Sequence, residues 1–151
     1  MTRRVHACAM DADRFVLTDV PDAGCDACLS DLRPRRCIGC VACLEKHPGH
    51  CAIADGFTPV MDEILRHRVL VMRVSPVRGK VPDAVRKAVE RLSNVLDAYT
   101  DCGGNEPLPT DAVGLRSVVV EYRGDFEDRM ESEIARALKK GPVSDISFIQ
   151  L

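Results

Sequence analysis

Alternating apolar runs and amphipathic stretches organise the second half of the chain. Two nearly continuous runs rich in β-branched residues, Val69–Val74 and Ser117–Tyr122, have the texture of strands covered on both faces. Apolar residues recur at three- and four-residue steps within 82–99 and again within 126–140, which predicts two amphipathic helices. Helices that alternate with buried strands predict an α/β fold with a parallel sheet.

Weaker signals complete the predicted elements. Thr58 as N-cap, with Pro59 at the first helical position, predicts a helix whose apolar face ends at Leu65. Strands are predicted at 14–20, more weakly at 4–10, and at the end of the chain from 146 to 151, with a Gly/Pro loop over 101–113.

Composition and charge limit the classes of function. A chain of 151 residues fits one domain with its own core, and we predict a single domain over 1–151. The formal net charge of −2 gives no strong attraction to nucleic acid. We expect no membrane partner, because no apolar run is long enough to span a bilayer. Charged residues interrupt the N-terminal stretch, so we predict no secretory signal and a cytoplasmic protein with reduced thiols.

A cysteine-rich segment, residues 25–51, carries the most specific chemistry. Cys37, Cys40 and Cys43 are separated by two residues each, and Cys51 follows across a short loop. A two-residue gap lets successive thiolates converge on one centre, and the longer gap lets the chain close the site with a fourth sulfur. We predict that these four cysteines bind a metal centre, with a 4Fe–4S cluster as the main hypothesis and zinc as the alternative.

Other residues near this segment leave alternatives open. Cys25 and Cys28 form a second Cys-x-x-Cys pair, which could help to enclose zinc, act as a redox dithiol or be two loop thiols. His47 and His50 flank a Pro-Gly turn and could each replace a thiolate, although surface turn positions are the simpler interpretation. A basic group could offset the negative charge of a cluster or contact an acidic partner; it comprises Arg33, Arg35 and Arg36.

From Cys37 to Leu96 the chain resembles the iron–sulfur flavoproteins, which belong to the flavodoxin-like NAD(P)H-dependent FMN reductases. The resemblance rests on the cysteine spacing together with the Ser-Pro-Val sequence after the strand Val69–Val74. It implies a flavodoxin-like three-layer sandwich, and electron transfer between a donor (NAD(P)H or a redox partner protein), FMN and the cluster. It also implies a possible homodimer. The loop that lies against the flavin ring in the family corresponds to Ser75, Pro76, Val77, Arg78 and Gly79.

The chain departs from this family near its N-terminus. The family has a glycine-containing phosphate loop after its first strand, where backbone N–H groups and a helix N-terminus hold the FMN phosphate. The corresponding stretch, residues 10–14, has no glycine and carries two carboxylates. We therefore predict a fold truncated at its first β-α crossover. Two functions remain open: a flavin-dependent reductase, or a flavin-free protein that uses a zinc or iron–sulfur site for structure, assembly or sensing.

Overall fold

The computed structural model describes residues 13–101 and 106–151. Its centre is a five-stranded sheet in which every described pairing is parallel. Numbered along the chain, the strands lie in the order β2-β1-β3-β4-β5, which places β3 in the middle. The strands are β1 Arg14–Thr18, β2 Ala27–Cys28, β3 Val69–Val74, β4 Ser117–Tyr122 and β5 Asp145–Gln150.

Three long helices and two single-turn helices connect these strands. The two single-turn helices, α1 Leu29–Leu32 and α2 Ala42–Glu45, belong to the cysteine-rich segment. The long helices are α3 Phe57–Arg66, α4 Asp83–Leu96 and α5 Asp128–Leu138. Short 3-10 turns follow α4 and precede β4. No helix in the described part of the chain is both long enough and apolar enough to cross a membrane.

The hydrophobic core lies between the three long helices and one face of the sheet. Alternate residues of each strand point to the same face, and the parallel register aligns Phe15 with Leu70 and Leu70 with Val118. These residues belong to one buried cluster with the apolar faces of α3, α4 and α5. Burial of these apolar side chains is the main force that holds the helices on the sheet.

The predicted α/β class and the parallel sheet are confirmed, and the strand order is that of flavodoxin-like proteins. The strands predicted at Val69–Val74 and Ser117–Tyr122 have the predicted bounds, and both lie inside the sheet. No helix separates β1 from β2. The predicted loss of a first crossover helix concerned residues 10–14, most of which lie outside the described residues, so it stays a prediction. The strand predicted at 4–10 lies outside the described residues, as do residues 102–105 of the predicted loop.

The start of α3 differs from the prediction. The helix begins at Phe57, so Thr58 lies inside its first turn and is not the N-cap. The Asp55 side chain accepts hydrogen bonds from the backbone N–H groups of Phe57 and Thr58, at 3.2 and 3.1 Å. A carboxylate satisfies these unpaired N–H groups better than a hydroxyl, because it also interacts favourably with the positive end of the helix dipole.

Candidate metal centre and switch-point cleft

The cysteine-rich segment packs against the C-terminal half of α4, where Arg91, Asn94 and Val95 line a cavity with the cysteines. The chain turns sharply between Cys40 and Cys43, where Val41 has a φ of +51° and begins the short helix α2. A β-branched residue in the left-handed region is strained by about 1–3 kcal/mol, so the surrounding structure must hold it there. The Val41 carbonyl accepts hydrogen bonds from the N–H groups of Leu44 and Glu45, which fixes this turn.

The four cysteines predicted as ligands line one small cavity. Cys37, Cys40, Cys43 and Cys51 share it with apolar residues of the segment and with polar residues of α4. Cys40 is exposed and the other three are partly buried, so the cavity opens towards solvent on the Cys40 side. The prediction that these four side chains converge therefore agrees with their placement, while ligation itself stays a prediction.

The thiols are close enough to affect one another's ionisation. Burial raises the pKa of the Cys43 thiol above its usual value, and the neighbouring Cys51 raises it further. Cys37 and Cys40 add smaller effects in the same direction. Four thiolates could share this cavity only with a cation to offset their charge, and this is the property expected of a set of metal ligands.

The spacing of the thiols bears on the choice of metal. Four sulfurs around one zinc ion lie about 3.8 Å apart, which follows from a Zn–S distance of about 2.3 Å and tetrahedral geometry. Across residues 13–101 and 106–151, no group of three or more His, Cys, Asp or Glu side chains is placed to hold a single metal ion. A cluster of several irons separates its ligands more widely than one ion does, so iron and sulfide content distinguishes the two kinds of centre.

Hydrogen-bond donors surround two of the sulfurs. The Gly39 backbone N–H lies 3.4 Å from Cys37 Sγ, and Arg91 Nη2 lies 3.5 Å from Cys51 Sγ. Donors of this kind stabilise negative charge on sulfur and are a regular part of thiolate-bound metal sites. This cavity therefore combines four thiol side chains with N–H donors near two of their sulfurs.

Arg91 also lines the cavity, although the cysteine spacing did not point to it. It is only 1% exposed, although it is charged, and it forms a bidentate pair with the Asp55 carboxylate at 2.5 and 3.1 Å. Its guanidinium carbon also lies 5.3 Å from the centre of the Phe57 ring, a cation–π contact. The sequence did contain a signal, because Arg91 falls three residues after Ala88 and four before Val95, on the apolar face of α4.

The Arg91–Asp55 pair fastens the cysteine-rich segment to the helices. Asp55 accepts the backbone N–H of Arg35 at 2.9 Å, and Arg91 donates to the Arg35 carbonyl at 3.3 Å and to Thr58 Oγ1 at 2.7 Å. Burial alone would raise the pKa of Asp55, but the hydrogen bonds from Arg91 and Arg35 and the charge of Arg91 lower it to about 2. The pair therefore stays charged at neutral pH and fixes the chain on both sides of the cavity.

Cys25 and Cys28 do not line this cavity. Cys28 is buried at the end of β2, with its sulfur 3.0 Å from Ser30 Oγ, and Cys25 is partly exposed. His47 and His50 are exposed, and His50 pairs with Asp62 at 3.1 Å. The structure therefore gives no support to a zinc site that combines both cysteine pairs or that uses either histidine with the four clustered cysteines.

The predicted flavin loop lies at a second site, at the carboxyl ends of the strands. The strand order changes direction between β1 and β3, and ligands of parallel α/β sheets bind at such switch points. A polar cleft of about 510 Å³ opens there, between the ends of β1, β3 and β4. Ser75 and Pro76 line this cleft, so part of the predicted loop is at the expected location.

The rest of that loop turns away from the cleft. Arg78 and Gly79 both have positive φ angles, and paired hydrogen bonds between Val77 and Lys80 close a tight two-residue turn. Arg78 and Gly79 line a neighbouring hollow with Asp125 and Glu127, whereas Val77 is exposed. Arg78, one of the five residues predicted to lie against the flavin ring, is therefore not brought into the cleft.

The walls of the cleft carry three carboxylates and two arginines. The segment that follows β1 is the one opposite Ser75, so residues 19–26 occupy the position that the sequence analysis assigned to residues 10–14. Asp19 is buried, and its carboxylate accepts hydrogen bonds from the N–H and Oγ–H of Ser75 at 2.6 and 3.2 Å. Asp22 and Glu121 also line the cleft, both paired with Arg73. Arg123 also lines the cleft, but Arg73 is paired with two of the carboxylates and the Ser75 N–H already donates to Asp19, which leaves few donors for an anion.

Comparison with known proteins adds no assignment. No protein-family model matches the chain, and neither a curated protein nor a solved structure matches it. The functional argument therefore depends on the two sites described above.

Proposed function

We propose that the chain is a flavin-free iron–sulfur protein that carries single electrons, with a 4Fe–4S cluster bound by Cys37, Cys40, Cys43 and Cys51. The observation that carries this proposal is the cavity lined by all four cysteines, two of which have N–H donors near their sulfurs. A cluster of this type supplies one-electron reduction and oxidation when it is bound.

The chain's own residues would do three things at this centre. The four thiols would lose their protons on metal binding, and Gly39 and Arg91 would stabilise the charge that remains on sulfur. The Arg91–Asp55 pair would hold the two ends of the ligand segment in place, since it contacts both Arg35 and Cys51. Exposure on the Cys40 side would leave a short path for electrons to a partner protein.

The content of metal and sulfide tests this proposal. Protein purified and reconstituted without oxygen should contain iron and acid-labile sulfide, and reduction should give the electron paramagnetic resonance signal of a 4Fe–4S cluster. Cys40→Ser should lose most of the iron, because a ligand is removed at an exposed position where folding does not depend on it. Cys25→Ser is the matched control, since Cys25 lies outside the cavity, and should retain its iron. Zinc without iron or sulfide in the wild-type protein would instead favour a structural metal site.

A flavin-dependent reductase is the second candidate, favoured by Ser75 and Pro76 at the switch-point cleft. The carboxylates in that cleft argue against it, and the same argument applies to the phosphates of NAD(P)H. Flavin in the purified protein would overturn the flavin-free part of the proposal without affecting the cluster.

A further inference from the structure

One guanidinium nitrogen in the core has no hydrogen-bond partner. Within the described residues, Arg91 Nε is the buried side-chain nitrogen or oxygen that remains unpaired. The other two nitrogens of the same group are fully used, by Asp55, Thr58, the Arg35 carbonyl and Cys51. The unpaired N–H therefore stands out within a network that is otherwise satisfied.

An unpaired buried donor is costly. Burying an N–H group without a partner costs about 1–3 kcal/mol, and more when the group is charged, so folded proteins rarely leave one. Asp55 cannot supply the missing acceptor without giving up its bidentate contact with the two Nη atoms. Arg91 lines the same cavity as the four cysteines, so an acceptor bound in that cavity is within the reach of this network.

We propose that Arg91 is the hydrogen-bond donor that sets the reduction potential of the metal centre, with Nη2–H directed to the Cys51 thiolate and Nε–H to a sulfur of the bound centre. This inference rests on the proposed iron–sulfur function. Arg91 is a positioning residue here and not a ligand. Its missing acceptor would then be an inorganic sulfide of the bound centre, or a cysteine thiolate formed when the metal binds.

The effect on potential should come from directed N–H groups and not from net charge. The Arg91 charge is already balanced by Asp55 at 2.5 Å, so the pair is close to neutral when seen from the cysteines. N–H groups that point at sulfur stabilise the reduced, more negative form of a cluster and so raise its potential. Lysine would keep the positive charge but lose the planar set of five N–H donors.

The Arg91→Lys variant distinguishes directed hydrogen bonds from net charge as the source of the effect on the potential. It should bind iron and sulfide and show a midpoint potential shifted to a more negative value. The matched control is Arg86→Lys on the same helix, where the side chain is exposed, and its potential should equal that of wild type. A loaded Arg91→Lys protein with an unchanged potential would overturn the inference and leave the proposed function intact.

A measurement on the wild-type protein covers the case in which Arg91→Lys does not load. Protein labelled with ¹⁵N-arginine should show, after reduction, a magnetic coupling between the cluster and an arginine nitrogen in pulsed electron paramagnetic resonance. The coupling should persist when the exposed Arg33, Arg35 and Arg36 are replaced by lysine. Its absence in a loaded wild-type sample would contradict the role of Arg91, whereas a wild-type protein that binds no cluster would contradict the proposed function itself.

Discussion

Asp55 has three structural roles in one side chain. It caps the start of α3, balances the charge of Arg91 and holds the backbone of Arg35. A buried ion pair of this kind is not a strong source of stability by itself, but removal of one partner leaves the other charge buried and unpaired. The pair therefore makes the structure sensitive to substitution at either position.

Replacement of Asp55 by asparagine should destabilise the protein by about 3 kcal/mol at pH 7, because Arg91 loses its counter-charge in a buried place. Urea unfolding followed by circular dichroism measures this free energy. Glu63→Gln is the control: Glu63 pairs with Arg66 on the surface, where such pairs contribute about 0–1 kcal/mol. Equal stability of the two variants would contradict the role given to Asp55.

The same residue predicts how stability depends on pH. The pKa of Asp55 is about 2 in the folded protein, against 3.8 for an ordinary aspartate, so the folded state binds its proton less readily. The resulting stabilisation, about 2 kcal/mol, is complete above pH 4 and is lost as the pH falls through 2. The difference in unfolding free energy between wild type and Asp55→Asn should therefore shrink between pH 5 and pH 2. A constant difference over this range would show that Asp55 titrates normally.

At the scale of elements, the loop before β4 packs closely against the end of α3 at Gly114. Its N–H donates to the Leu65 carbonyl at 2.8 Å, and a Cβ at this position would lie 2.6 Å from the Arg66 carbonyl oxygen. Backbone atoms cannot move aside as a flexible side chain can. This contact fixes how the end of α3 meets the loop that leads into β4.

Gly114→Ala should therefore destabilise the protein by about 1–3 kcal/mol, the usual cost of forcing atoms into a packed region. The midpoint of thermal unfolding is a sufficient measurement. Gly56→Ala provides the comparison, because its nearest contact for a Cβ is a wider 3.3 Å and its φ is an ordinary −65°. If Gly56→Ala lowered the midpoint of thermal unfolding as much as Gly114→Ala, the steric explanation would be wrong.

The elements that could be predicted from the sequence are those long enough for the spacing of their apolar residues to show a period. β3, β4 and the apolar stripes of α4 and α5 are long, and their predicted positions agree with the structure. β2 has two residues and α1 and α2 have four each, too few for a period to appear. The convergence of the four cysteines could be predicted because local spacing controls it. The Arg91–Asp55 pair could not be predicted in this way. Asp55 lies just before α3 and Arg91 lies in α4, so the two residues meet only after the fold has formed.

At the scale of the whole molecule, the two sites differ in the ligands that they suit. The cysteine cavity offers soft thiol ligands with N–H donors beside them, whereas the cleft beside Ser75 offers the carboxylates of Asp19, Asp22 and Glu121. The likeness to flavin proteins therefore rests on the cysteine spacing and on the strand order, while the three carboxylates of the cleft are the feature that argues against a flavin phosphate there.

We expect FMN to bind very weakly, with a dissociation constant of about a millimolar or more, because the carboxylates of the cleft repel its phosphate. Flavin fluorescence in the presence of excess apoprotein is the measurement, with an apoflavodoxin titrated in parallel to show that quenching can be detected. A variant with both Asp19→Asn and Asp22→Asn should bind FMN no more weakly than wild type. Quenching of micromolar FMN by the wild-type protein would require the flavin-dependent function to be reinstated.

The position of the cysteine-rich segment between β1 and β3 also affects the order of folding. β4 and β5 are separated only by residues 123–144, whereas β1 reaches its partner β3 only after residues 19–68, which include the whole cysteine-rich segment. Closing a longer loop costs more chain entropy and slows the formation of the contacts that depend on it. The amides of β4 should therefore become protected from hydrogen exchange early in refolding and those of β1 later. The ligand segment would then close over its cavity last, after the helix that carries Arg91 is in place.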